Sequence, residues 1–234
     1  MVILMTDPRL ERWIGILALL NLAMLAILAG RPHFSNASHP VRGISNPILA
    51  MELVRNVAEV DEILSDAPSP DRETMRIKQY ADFGFIGGYA ALFVLMSMLL
   101  MGQGRAIAIS AALLGIIAAF CDVIENLGIL RIVDVDLTHT TQAMIDAIRY
   151  PSLVKWTLAS FALGMLGILA MRTRQTGLEV VGALDFLAAL LGVCGAFYDN
   201  WFLQPMGLLM LGGFVGLAIL FFRPHHWNRR RTAA

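Results

Sequence analysis

The chain has 234 residues, of which 57% are hydrophobic and 15% charged, with a mean hydropathy of +0.66. Soluble domains carry about 25% charged residues, so this composition excludes an ordinary water-soluble globule and makes the lipid bilayer the expected partner. The 18 basic and 18 acidic side chains cancel, which leaves no net field for nucleic acid.

Six apolar runs follow one another along the chain: 13–29, 83–101, 106–130, 153–171, 178–198 and 202–222. Each is near or above the roughly 20 residues that a helix needs to cross a ~30 Å hydrocarbon core. Backbone groups cannot stay unpaired in lipid, so the runs predict helices. The fold class expected is therefore all-α: a polytopic transmembrane helical bundle of about six spans. The first run has small residues around Ala29, as a signal peptide would, but it exceeds the usual run of about 7–15 residues, which favours a retained span.

Residues 31–80 form the one sizeable extramembrane segment. Asn46-Pro47 reads as a helix start, with asparagine as cap and proline at the first helical position. Leu49, Leu53, Val57, Val60 and Leu64 then make one apolar stripe, and Glu52, Arg55, Glu59, Glu62 and Asp66 a charged one. One amphipathic helix is thus predicted, packed as a lid on the bundle or lying on the membrane surface. Ala67-Pro68-Ser69-Pro70 ends it and starts a second helix that runs into the second span. The organisation expected is a four-span core over 1–171, including segment 31–80, and a two-span hairpin with a basic tail over 172–234.

The third span ends in Cys121-Asp122-Val123-Ile124-Glu125-Asn126. Asp122 is sixteen residues beyond Ala106, roughly 24 Å up a helix rising 1.5 Å per residue, and so still inside a ~30 Å core. Asp122, Glu125 and Asn126 are spaced i, i+3, i+4 and share a face. Asp82 opens the second span and Lys155 the fourth from the same side, which brings all five residues to one level. Tyr89 lies on the face of Asp82, about two turns deeper. Two acids one turn apart in lipid cannot both stay charged without compensation, and Lys155 is the obvious compensating cation. Asp185 lies seven residues into the fifth run, nearer the other side, and is not assigned to this set.

Gly84, Gly87 and Gly88 flank Asp82 and Tyr89, and Gly212 and Gly216 form a Gly-x-x-x-Gly pair in the last run. Close helix packing accounts for both. Cys121 and Cys194 lie in apolar runs without metal-ligand spacing and read as small buried hydrophobes. No P-loop, dinucleotide fingerprint, His-Glu-x-x-His or Gly-x-Ser-x-Gly is present, so no cofactor or metal is assigned. His225-His226-Trp227 and Arg229, Arg230 and Arg231 read as an interfacial anchor.

Basic residues set the expected orientation. With both termini cytoplasmic, Arg9, Arg12, Arg105, Arg172, Arg174, Arg223 and the tail arginines lie inside, whereas Arg131 and Arg149 break the pattern outside.

Met51 to Leu64, Asp82-Phe83-Gly84-Phe85 with Tyr89, Asp122-Val123-Ile124-Glu125-Asn126, Pro151 and Lys155-Trp156 resemble a group of uncharacterised bacterial multi-pass integral membrane proteins. These share Asp…Tyr, Asp-x-x-Glu-Asn and Lys in successive spans. The resemblance covers about residues 13–171, with Asp-x-x-Glu-Asn its most specific element, and the last two spans look like an addition. It implies a bacterial inner membrane and brings no substrate.

Three readings of the polar set follow. A pocket near the outer leaflet can bind or process a lipid head group, with Asp122 or Glu125 as general base, Lys155 stabilising an anion and Asp82, Tyr89 and Asn126 binding the substrate. Alternatively the carboxyls hold a proton or cation in a transport-type protein, or the charges clasp the helices of a structural or accessory subunit.

Overall fold

The structure, a computed structural model, describes residues 7–35 and 40–222. The tail with Arg223, His225, His226, Trp227, Arg229, Arg230 and Arg231 lies outside the described residues. Apart from one bridge between Val41 and Ile44, the regular structure among the described residues is helical. The helices are α1 (Pro8–Ala29), α2 (Pro47–Glu52), α3 (Val57–Leu64), α4 (Pro70–Leu100), α5 (Arg105–Val133), α6 (Gln142–Arg172), α7 (Thr176–Phe197) and α8 (Leu203–Phe221).

Among the described residues, α1, α4, α5, α6, α7 and α8 are long and apolar enough to cross a membrane. Their outer faces are apolar as well as their inner ones: Phe120 is 65% and Leu208 71% exposed. Such faces are stable against lipid and costly in water. Exposed Tyr80, Tyr150, Tyr198 and Trp201 ring one end of the bundle, as an interfacial aromatic belt does. Below Tyr80, α4 continues for twenty residues to Leu100, roughly 30 Å and one hydrocarbon core.

Each spanning helix packs on the next, and α8 returns to α1, so the six form a closed ring. Small residues set the spacing. A Cβ at Gly167 of α6 would lie 2.6 Å from the carbonyl oxygen of Gly182 on α7, so the two backbones touch. Gly212 and Gly216 likewise face α7, where a Cβ at 216 would meet Val181 at 2.6 Å. The hairpin over α7 and α8 is therefore part of the ring wall.

The segment between α1 and α4 caps the belted end. In place of one continuous amphipathic helix over Leu49 to Leu64, the structure has two short ones: α2 ends at Glu52, and Asn56 starts α3 by accepting a bond from the Glu59 amide at 3.0 Å. The break at Leu53–Asn56 changes the facing of everything before it. Glu52, expected on the charged stripe, turns inward, and Leu53 and Val54 are fully buried.

The first turns of α4 tie this cap down. Arg72, 3% exposed, donates through Nη1 to the carbonyls of Ile132 (2.9 Å) and Val135 (2.5 Å) and through Nε to that of Ser65 (2.9 Å). It thereby satisfies the open C-terminal end of α5. Lys78 does the same for α1 at the carbonyls of Ile27 and Gly30. On the far side Gln204 bonds Ser45 and Gly43, which joins the cap to the start of α8. Replacing Arg72 by methionine removes its side-chain hydrogen bonds to the carbonyls of Ser65, Ile132 and Val135 and is expected to cost about 3 kcal/mol. Denaturant midpoints of the two proteins in the same detergent check this, and coinciding midpoints would contradict it.

Candidate functional site

Four elements converge under the cap. α5 supplies Asp122, Glu125 and Asn126, 5%, 0% and 1% exposed, from the one face that the i, i+3, i+4 spacing dictates. α4 supplies Tyr89, and Asp82 from two turns nearer the cap. α6 supplies Lys155 and Trp156, and α2 supplies its last residue, Glu52.

Lys155 is the centre. Its Nζ donates to Asp122 Oδ1, Glu125 Oε1 and Glu52 Oε2, each at 3.0 Å, and lies 2.8 Å from Glu125 Oε2. Glu52 Oε2 also accepts from the Trp156 indole at 2.9 Å. The Tyr89 hydroxyl donates to Asp122 Oδ2 at 2.8 Å, and Asn126 donates to Asp82 Oδ2 at 2.8 Å. The network thus runs from the cap through the amine to α4.

Charge counting decides what this set can do. An ammonium has three hydrogens, and three carboxylates take them. No donor of Lys155 is left over for a phosphate. Three buried carboxyls share one amine, so full ionisation would leave two uncompensated negative charges, and the half-buried Asp82, bonded to Asn126, adds a third. Burial on that scale costs several kcal/mol per ion, and the set must take up protons or another cation. Among the described residues, no group of His, Cys, Asp and Glu has the arrangement to hold a metal.

Glu52 is the member outside the spans. Burial pushes its carboxyl above the ordinary value of 4.5, Lys155 opposing the effect and Asp122 adding to it. The folded protein therefore binds this proton more tightly than the unfolded chain. The stabilising contribution is fully present below pH 4.5 and is lost as the pH rises through the elevated folded value. Amide exchange over 47–54 should accordingly speed up on going from pH 4.5 upward, after correction for intrinsic rates, and Glu52→Gln should flatten the trend.

Of the residues singled out in the sequence, Tyr89, Asp122, Glu125 and Lys155 lie in one hydrogen-bonded network, and Asp82 and Asn126 form a bonded pair beside it on the same helices. Asp185 is separate, in the ring's interior on α7. Sequence reasoning missed Glu52 and Trp156. The signal for the first was Asn56-Val57-Ala58-Glu59, an N-cap followed by glutamate at the third helical position, which marks a new helix and frees Glu52 to turn inward. Comparison with protein-family models, with curated proteins and with solved structures gives no match for this chain.

Proposed function

We propose that the chain is a multi-pass protein of a bacterial inner membrane that binds and moves protons at the Glu52–Asp122–Glu125–Lys155 site, a transport-type protein. The observation that carries this reading is the saturated ammonium: every Lys155 donor is held by a carboxylate, and the excess in the network is acid. A site with surplus carboxyls and no free cation takes up positive charge, and a proton needs no extra room. Glu52 makes the cap a part of the site, so that movement of the cap would open it to the water on that side.

The same surplus of acid speaks against Lys155 as the anchor of a lipid phosphate. An anionic head group finds a better cation at Arg131, which has no hydrogen-bond or ion-pair partner among the described residues and borders an open groove with Ile124, Leu127 and Met144. Orientation follows the basic residues: Arg9, Arg12, Arg105 and Arg172 stand at the uncapped end of the helices, which is the cytoplasmic end in this reading. The cap then faces outward, and the polar site lies just inside the outer leaflet.

The test is proton entry into liposomes that contain purified protein and a pH-sensitive dye, driven by a potassium diffusion potential. Wild type is expected to acidify the lumen faster than empty liposomes do. Rates equal to those of empty liposomes would overturn proton movement. A phospholipid that co-purifies with wild type and is lost in Lys155→Ala would favour the head-group reading instead.

A further inference from the structure

Below the polar network, a narrow, partly open cavity of about 40 Å³ lies between α4, α6, α7 and α8. Its wall carries one carboxyl group, that of Asp185, among Tyr89, Phe93, Phe214, Leu166 and Met210. Asp185 lies nine residues into α7, roughly 14 Å from the uncapped end and close to the middle of a ~30 Å core. It is 9% exposed and has no hydrogen-bond or ion-pair partner among the described residues. A carboxyl group at that depth is costly and implies a partner. Gly213 keeps the place in front of it open: a Cβ there would lie 2.8 Å from Asp185 Oδ1.

We propose that this cavity is a binding site for a slender primary alkylammonium ion, with the Asp185 carboxylate as counter-ion. The lining specifies both halves of such a ligand. One acid without a cation of its own matches an ammonium, and Phe93, Phe214 and Tyr89 offer aromatic surface that attracts the same charge. The apolar remainder of the wall accepts a short alkyl chain. The volume admits a few heavy atoms and excludes a bulky quaternary ion, since one water needs about 10–15 Å³ on the same scale. The site is distinct from the Lys155 network and does not depend on how that network is used; Tyr89, whose hydroxyl bonds Asp122, forms the wall between them.

Equilibrium dialysis of the detergent-solubilised full chain against radiolabelled n-butylammonium tests the assignment, with n-butanol as the uncharged analogue of matching shape. Wild type is expected to bind butylammonium saturably at one site and butanol about tenfold more weakly, in line with one hydrogen-bonded ion pair. Asp185→Asn is expected to weaken butylammonium about tenfold and to leave butanol unchanged. If Asp185→Asn does not fold, Gly213→Ala serves, because the added methyl crowds the carboxyl oxygen and should weaken butylammonium several-fold. Equal binding of the two probes by wild type, or butylammonium affinity untouched in both variants, would overturn the proposal.

Discussion

Lys155→Met is expected to be the most damaging single substitution in the chain, costing about 3–5 kcal/mol of folded stability. The magnitude follows from what remains after the amine is removed. Asp122, Glu125 and Glu52 lose their shared donor while staying 5%, 0% and 9% exposed, so no water replaces it. The shape lost is small, because methionine fills nearly the same path along α6. The cost is therefore electrostatic, and neutralising the acids should recover it. Combining Lys155→Met with Asp122→Asn, Glu125→Gln and Glu52→Gln is expected to restore most of the stability, since a neutral hydrogen-bonded set tolerates burial far better than orphaned charge does. Thermal unfolding in a fixed detergent, with the single and the quadruple variant side by side, measures this. A quadruple variant no more stable than Lys155→Met would show that the lysine contributes by packing alone.

The second large effect is on proton movement. Glu125→Gln keeps the volume and one acceptor for Lys155, and Asp122 and Glu52 still hold the ammonium. Stability should change by about 1 kcal/mol, within the range of one buried hydrogen bond exchanged for another. Proton entry into dye-loaded liposomes should nevertheless fall about tenfold or more, as expected for loss of a proton-transferring group. Asp122→Asn is expected to behave alike, with the added loss of the charged acceptor for Tyr89. This separates a working site from a clasp. A clasp would lose its fold in proportion to its lost bonds, whereas a site loses proton flux while the protein stays folded. Normal flux through a folded Glu125→Gln protein would remove Glu125 from the pathway.

The spans were legible because lipid imposes a length: a helix crossing a ~30 Å core needs a run of apolar residues that no soluble segment here imitates. The level of the charged residues was legible for the same reason, since a fixed rise per residue turns sequence distance into depth. Asp122, Glu125, Lys155 and Asp82 could thus be brought to one height before any contact was known. Glu52 could not. Its place depends on a four-residue break between α2 and α3, and the stripe Leu49, Leu53, Val57, Val60 and Leu64 fits an unbroken helix equally well. The buried tethers Arg72 and Lys78 were hidden too, because their partners are backbone carbonyls, which no side-chain pattern records. Closure of the ring by α8 on α1 rests on small-residue contacts such as Gly15 against Phe221, which a periodicity cannot orient.

The central claim is that the carboxyls gathered around one amine, Glu52, Asp122 and Glu125 with Asp82 beside them, share protons at neutral pH. Infrared spectroscopy of the purified protein reads this directly, because a protonated carboxyl absorbs apart from a carboxylate. The expected result is a protonated-carboxyl band near neutral pH that is lost or shifted in Glu125→Gln, Asp122→Asn, Asp82→Asn or Glu52→Gln. A spectrum with no such band, or one unchanged in all four variants, would contradict the account.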